Sequence, residues 1–329
     1  MKALIYTGAE TLDFRDFADP APAPGDALIE VAHVGICGSD MHAYLGHDDR
    51  RPAPLILGHE AAGQIVNGPG KGDVVTVNPL VTCGTCPACR AGRDNLCGTR
   101  QIISMPPREG AFAQRLTMPP RNLVTVPEGF STAKASLAEP IACGWHAVRL
   151  ARRVLDMPDD EMRCLVQGGG AIGLGAALVL ASRGAGEIWI AETNAVRRGI
   201  LEKAGDFRVY DPSAQSGPTA VDLVIDGVGI EATRAAASAT VRPGGVIAHI
   251  GLGNAVPGLD IRRMTLQEIT FIGAYTYTMQ DFRDTAQAIF DGSLGALDWP
   301  EIRPLSEGAQ AFADIRAERV AAPKIILEP

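Results

Sequence analysis

The stretch that most limits what this 329-residue chain can fold into runs from Arg163 to Glu192. Arg163 to Val166 is a short apolar run, and Gly168, Gly170 and Gly173 follow it with the spacing G-x-G-x-x-G. Leu174 to Ser182 then reads as a helix, and Glu187 to Ala191 as a second strand closed by Glu192. A lone glycine motif of this kind is weak evidence. Between a strand and a helix, with an acid 19 residues after the last glycine, it is the fingerprint of a dinucleotide site. The glycines allow a tight turn and let backbone N–H groups reach a pyrophosphate at the helix N-terminus. Glu192 would accept hydrogen bonds from the adenosine ribose hydroxyls, and its charge would repel a 2′-phosphate, which favours NAD over NADP.

The alternation continues beyond this unit. Strands are expected at 207–210, 221–226, 245–250 and 270–274, with a helix at 230–239, so this part is α/β with a doubly wound parallel sheet. Val228, Ile250 and Leu252 fall at strand ends, where such sheets bind ligands. With Gly168, Gly170, Ala171, Ile172, Gly173, Glu192 and Arg197 they make up the expected cofactor site.

Residues 1 to about 135 read differently. Short strands at 2–6, 27–34 and 74–77 are separated by Pro20, Pro22, Pro24 and a run of glycines, the pattern of a β-rich, irregular domain. A helix capped by Ser131 is expected to stop at Glu139-Pro140, and a second to run from Ile141 to about Leu155. The tail offers a helix at 281–290, an amphipathic segment at 308–316 and a strand at 324–327. Because it ends in a strand with no helix to continue the alternation, it should return to the first domain. The expected division is therefore 1–135 with 280–329, around a nucleotide-binding domain at 136–279.

Two cysteine-bearing stretches lie in the β-rich part. Cys37-Gly38-Ser39-Asp40-Met41-His42 precedes Gly58-His59-Glu60, offering a thiol, an imidazole and a carboxylate, the three ligand types zinc accepts. That mixture suits a catalytic zinc, which keeps a position open. Cys83, Cys86, Cys89 and Cys97 could close a tetrahedral structural site on one loop at 83–97; an iron–sulfur cluster also takes four cysteines. The loop has little apolar material of its own, so bound metal would supply its order.

Net charge is -8 and the pI about 5.3, which argues against a nucleic-acid surface. The longest weakly polar run, 168–182, is too short and too glycine-rich for a membrane span. No apolar leader is evident near Met1, and seven cysteines in a reducing compartment favour metal over disulfides, so a cytoplasmic protein is expected.

Taken together, Cys37-Gly-Ser39-Asp40, Gly58-His59-Glu60-Ala-Ala-Gly63, Gly72-Asp73-Val74-Val75, the four cysteines, and Leu137-Ala-Glu139-Pro140 ahead of the glycine motif resemble the zinc-dependent medium-chain dehydrogenase/reductase family. Within it the chain is most similar to the polyol (sorbitol-type) and threonine dehydrogenase branches, which carry Glu-Pro where alcohol dehydrogenases place a cysteine ligand. The resemblance implies a GroES-like catalytic domain, a Rossmann domain and a cleft between them. It also implies one catalytic and one structural zinc per chain, NAD, a small secondary alcohol as substrate, and a homodimer or homotetramer. It casts Cys37 and His59 as catalytic zinc ligands, with Glu60 and Glu139 competing for the third place and Cys143 packing nearby. Ser39 and His42 would relay a proton, and Asp40 would orient His59.

There are departures from the family. The loop between Gly63 and Gly72 is short, and Tyr275-Thr276-Tyr277 stands where polyol dehydrogenases read Phe-Arg-Tyr. The substrate therefore stays open between a polyol, a threonine-type amino alcohol and a sugar phosphate that Arg50 and Arg51 could meet. A catalytically silent zinc- and NAD-binding regulator is the alternative outside enzymes.

Overall fold

The computed structural model describes all 329 residues, Met1 to Pro329. Its six-stranded sheet has the order Arg208–Tyr210, Glu187–Ala191, Arg163–Gln167, Val221–Asp226, Val241–His249, Thr270–Gly273, and every neighbouring pair is parallel. A parallel sheet is covered on both faces, so its central strands need apolar residues throughout. Val221–Asp226 is buried along its whole length. Alternate residues serve opposite layers: Leu165, Val224 and Ile247 pack on one side, and Val166, Ile225 and Ala248 on the other.

The second body is a seven-stranded, mainly antiparallel sheet. Leu123–Thr125, Val74–Val77, Glu60–Asn67, Ala27–Gly35, Lys324–Glu328 and Pro300–Pro304 follow one another, and Arg115–Met118 also pairs with Ala27–Gly35. Its core gathers Leu4, Ile29, Val31, Ile65, Phe112, Phe312 and Leu327. The chain end supplies two of these strands. Lys324–Glu328 lies antiparallel to Ala27–Gly35 and parallel to Pro300–Pro304.

Two expectations need correction. Pro140 does not break a helix. The first helix ends at Ser136, and the next, Ala138–Arg152, already contains Pro140 in its first turn. A proline is tolerated there because its missing N–H would have had no intrahelical partner. Glu139 thus sits in the first turn of a long helix.

Nor does the chain return to the β-rich body at residue 280. The helix Met279–Phe290 packs on Ala138–Arg152, and Phe282, Ala286 and Ile289 join the core built around the glycine-motif helix Ala171–Ser182. The return comes with the strand at Pro300.

Candidate active site

Cys37 is the N-cap of a short helix, Gly38–Tyr44, and its own backbone is extended. His59 and Glu60 lie where the chain enters the strand Glu60–Asn67. Between them the chain turns at Gly58, with φ +88°, and a Cβ there would stand 2.4 Å from the Phe112 ring. Only glycine fits that turn. The result is that one ligand atom each from Cys37, His59 and Glu60 lie within 4.8 Å of one another.

Asp40 holds this group in place. It is fully buried; its Oδ2 accepts the Cys37 N–H at 3.0 Å, and its Oδ1 accepts the Gly58 N–H at 3.2 Å and stands 3.3 Å from His59 Nδ1. With Nδ1 turned to Asp40, Nε2 is the ring nitrogen left for a metal. Burial alone would raise the Asp40 carboxyl, but the His59 ring, Arg51 and the Cys37 N–H hold it down to about 2.

Glu60 is 1% exposed. Its Oε1 accepts from Lys324 Nζ at 2.6 Å, while Oε2 is buried with no hydrogen-bond partner. An orphaned carboxylate oxygen beside a thiol and an imidazole is costly by itself and is the donor set a zinc ion satisfies. The residues present therefore fit a catalytic zinc. Lys324 also donates to Ile36 O at 2.8 Å. Burial works against its charge, but Glu60 and Cys37 keep its pKa raised.

Glu139 stands outside the Cys37–His59–Glu60 group and close by. It is 6% exposed, and its Oε1 accepts the Tyr277 hydroxyl at 2.6 Å. Burial, with the charge of Glu60, pushes its carboxyl up to about 7 against the pull of His59, Tyr277 and Lys324. Cys143, one turn further along the same helix, is pushed well above the ordinary thiol range by burial and by the charge of Glu139. Cys143 is not part of the Cys37–His59–Glu60 group.

Ser39 is half-buried and His42 exposed, three residues apart on Gly38–Tyr44. The two arginines divide. Arg51 is 3% exposed; it donates to Ser39 O at 2.6 Å and to Ser104 O at 3.0 Å. It is a structural tether and is not free to meet a phosphate. Arg50 is exposed and paired with Asp48 at 2.8 Å.

The four remaining candidate ligands, Cys83, Cys86, Cys89 and Cys97, form a second group with sulfurs within 4.8 Å of one another. None of the seven cysteines is in a disulfide. Backbone N–H groups of Thr85 and Cys86 point at Cys83 Sγ, at 3.5 and 3.3 Å, and with the Thr85 hydroxyl they lower its pKa to about 5. Amides aimed at a sulfur favour its thiolate, the form that binds zinc. The short pair Leu80–Val81 and Gln101–Ile102 closes the base of this lobe.

At the glycine motif, Gly168 has φ +90°, and a Cβ on Gly173 would stand 1.9 Å from Gly168 O. Glu192 Oε2 accepts the Gly169 N–H at 2.9 Å, and Oε1 accepts the Asn194 N–H at 2.7 Å. Arg197 stands 3.4 Å from Glu192 Oε2 and donates to Val320 O and Ala321 O, tying the Rossmann-like body to the chain just before Lys324. A cleft of about 800 Å³ joins the two halves, lined by Cys37, Gly38, Met41 and Lys324 at one end and by Glu192 and Arg197 at the other. Gly168, Gly170, Ala171, Ile172, Gly173 and Val228 line it too. Of the Cys37–His59–Glu60 group only Cys37 lines it; Ser39, His42, His59, Glu60, Glu139, Ile250 and Leu252 are not in its wall, and Leu252 is 82% exposed.

Lys324 and Tyr277 join the site from outside the motifs named above. Neither lies in a spaced motif; each arrives from a distant element. Tyr277 belongs to the Tyr275-Thr276-Tyr277 departure, the one sequence signal at its position.

A sheet-bearing domain with a Cys/His/Glu group, a four-cysteine lobe and a parallel-sheet nucleotide domain defines the class of zinc-binding, dinucleotide-dependent dehydrogenases. Residues 23–128 match the alcohol dehydrogenase GroES-like domain, and residues 171–291 match the zinc-binding dehydrogenase family. L-galactonate-5-dehydrogenase of Escherichia coli is 32% identical over 312 residues, 90% of this chain and 89% of that protein. Sorbitol dehydrogenase of Bacillus subtilis is 32% identical over 297 residues, 84% of this chain and 82% of that protein. A Sinorhizobium meliloti protein described as a zinc-binding dehydrogenase, solved with bound NADP, superposes with a TM-score of 0.89 at 26% identity, covering 100% of this chain and 99% of that one. The chain belongs to the zinc-dependent medium-chain dehydrogenase/reductase family, with its GroES-like and Rossmann domains, and is an enzyme acting on CH–OH donors. No helix in it is long and apolar enough to cross a membrane.

Proposed function

We propose that the protein oxidises a secondary alcohol of a polyol or a related sugar-derived compound with NAD, using one catalytic zinc and one structural zinc. The observation that carries this reading is the single cleft in which the Cys37 end faces the glycine-motif end. Cys37, His59 and Glu60 would hold the catalytic zinc, and Cys83, Cys86, Cys89 and Cys97 the structural one. When bound, zinc supplies Lewis acidity that makes an alcohol easier to deprotonate, and NAD accepts the hydride.

The chain's own residues do the rest. Asp40 fixes the His59 ring. Lys324 neutralises Glu60 and leaves its second oxygen free. Glu139, held by Tyr277, is a buried carboxyl able to hydrogen-bond a polyhydroxylated substrate beside the zinc, through water or directly. Ser39 and His42 relay the alcohol proton towards solvent. Glu192, with both oxygens already engaged by backbone N–H groups, presents negative charge where a 2′-phosphate would lie, and this favours NAD.

Support for a sugar-derived substrate comes from the similarity to galactonate and sorbitol dehydrogenases and from a carboxylate at Glu139 where a thiolate would make the pocket softer and drier. The burial of Arg51 weighs against a phosphorylated substrate. The strand Thr270–Gly273 is one of the two edges of its sheet, and Leu252, Ile261 and Leu266 are exposed, which supports a homodimer or homotetramer. Seven unpaired cysteines support a cytoplasmic setting.

The test is NADH formation by zinc-loaded protein with pentitols, hexitols, aldonates, their phosphates and threonine. Turnover of a polyol or aldonate in preference to threonine is expected. A preference for threonine or a phosphate ester would overturn the substrate reading, and no turnover at all would favour a silent binding protein.

A further inference from the structure

The four-cysteine lobe reaches further than a fold staple needs to. Between Cys89 and Cys97 a 3₁₀ turn, Asp94–Leu96, faces the segment that follows the last strand of the parallel sheet. Asn95, 3% exposed, donates from Nδ2 to Tyr275 O at 2.8 Å. The Asp94 carboxylate accepts the Met279 N–H, at 3.1 Å from Oδ2 and 3.3 Å from Oδ1. Arg100 lies with its guanidinium carbon 4.9 Å from the Tyr275 ring centre, its Nε donates to the Tyr275 hydroxyl at 3.3 Å, and its Nη1 donates to Cys97 O at 2.9 Å.

The segment so held is strained. Thr276 has φ +45°, a left-handed conformation that a β-branched residue adopts only under constraint, and its hydroxyl is buried without a partner. Such conformations persist where surroundings over-determine them, and they collect at functional sites. A second clamp acts from the other side. Asp281 and Thr278 form a capping box at the start of Met279–Phe290, and Asp281 is gripped by His146 and Arg149 of the helix that carries Glu139, each at 2.8 Å. Between the two clamps stands Tyr277, fully buried, with its hydroxyl on Glu139.

We infer that the four-cysteine lobe is a positioning element for the catalytic cleft: Asp94, Asn95 and Arg100 hold Tyr275–Met279 in a strained path so that Tyr277 fixes Glu139 beside the Cys37 cluster. The inference rests on that cluster being the catalytic zinc site. Loosening the lobe then slows the chemical step through Tyr277, even where both metals and the cofactor remain bound.

The test compares Asn95→Ala, Asp94→Ala, Asp94→Asn, Tyr277→Phe and the double variant Asn95→Ala/Tyr277→Phe. Each is checked for two zincs per chain before kcat and the KM for NAD are measured. Removing one hydrogen bond that positions a reacting group lowers kcat by about five- to tenfold, so Asn95→Ala and Asp94→Ala should show that loss with an unchanged KM for NAD. Asp94→Asn keeps an acceptor for Met279 N–H and should retain activity. The double variant should be no slower than Tyr277→Phe alone, because the group being positioned is already gone. Losses that multiply, or an Asn95→Ala enzyme with full kcat, overturn the inference.

Hydrogen exchange of the amides at 275–281 gives an activity-independent reading. Exchange should be faster in Asn95→Ala than in the wild type, and equal rates overturn the clamp. A chain that oxidises no alcohol yet shows the faster exchange would refute the functional reading while leaving the clamp in place. Should Asn95→Ala fail to fold or lose zinc, the Asp94→Ala and Asp94→Asn pair decides the question on the same two readouts.

Discussion

Lys324 and Glu60 form a buried ion pair, 2.6 Å between Nζ and Oε1, that joins the last strand of the chain to the strand entered from His59. Both side chains are nearly inaccessible, 4% and 1% exposed. Such a pair stabilises little over an apolar replacement of both partners, but removal of one leaves the other charged and alone. Lys324→Met should therefore cost about 3–5 kcal/mol of stability. It should also weaken metal binding at Cys37–His59–Glu60, because the Glu60 carboxylate loses the contact that aims it. The measurement is metal content after dialysis with chelator, alongside a melting curve. Zinc falling from two to one per chain is the expected result, and two retained zincs with an unchanged melting temperature would show that Lys324 does not hold Glu60.

Glu192→Ala should narrow the preference for NAD over NADP. Glu192 is engaged by Gly169 N–H and Asn194 N–H, so its charge sits fixed in the cleft, beside Arg197. Its removal frees Arg197 to meet a phosphate. The ratio of kcat/KM for the two cofactors should shift towards NADP by at least about tenfold, one charged contact's worth. A wild type that uses both equally would remove this role from Glu192.

Ser39→Ala should lower kcat by about a hundredfold, the lower end of what a positioned proton acceptor contributes, with little change in NAD affinity. His42→Ala should lose less than about tenfold, since exposed His42 can be replaced by water. Steady-state kcat with stopped-flow binding of NAD separates the two effects. Full activity in Ser39→Ala would take Ser39 out of the relay.

Acid stability should depend on Asp281. Burial would raise its carboxyl, but His146, Arg149 and the Thr278 hydroxyl and N–H hold its pKa below the ordinary carboxylate value. A carboxyl depressed in the folded state stabilises the fold above its unfolded pKa, near 4, and that contribution disappears as pH falls below it. The melting temperature of the wild type should thus drop from about pH 5 downwards, and Asp281→Asn should flatten this drop while costing about 2 kcal/mol at neutral pH. Parallel melting curves for both proteins across that range would rule out the assignment to Asp281.

The parts of the fold that could be read in the chain are those written in local pattern. Val221–Asp226 has the bounds its apolar run suggests, and Gly308–Arg316 those of its amphipathic face. The glycine motif lies between strand Arg163–Gln167 and helix Ala171–Ser182, as its neighbours imply. Pro140 misled because a proline ends a helix only in its interior, and local pattern could not show that a new helix begins two residues earlier.

The site was legible only in part for a related reason. Cys37, His59 and Glu60 stand in short motifs, but what completes them comes from afar. Lys324 is 264 residues from Glu60, and Tyr277 is 138 residues from Glu139. A single lysine opening a strand and a tyrosine in a strained turn have no periodicity to betray them. Their roles follow from sheet order and helix packing, which bring the chain's end back beside its beginning.

In the proposed reaction, a removable zinc held by Cys37, His59 and Glu60 carries the NAD-dependent alcohol dehydrogenase activity. Metal content and NADH formation should be followed together in one chelator titration of the fully loaded protein, with the best substrate of the alcohol panel. The prediction is two zincs per chain at the start, loss of one in step with all activity while the four-cysteine metal and the fold remain, and recovery of activity when zinc is returned. Activity that persists after the weaker metal has gone, or a folded, fully loaded protein that holds only one zinc, would contradict it.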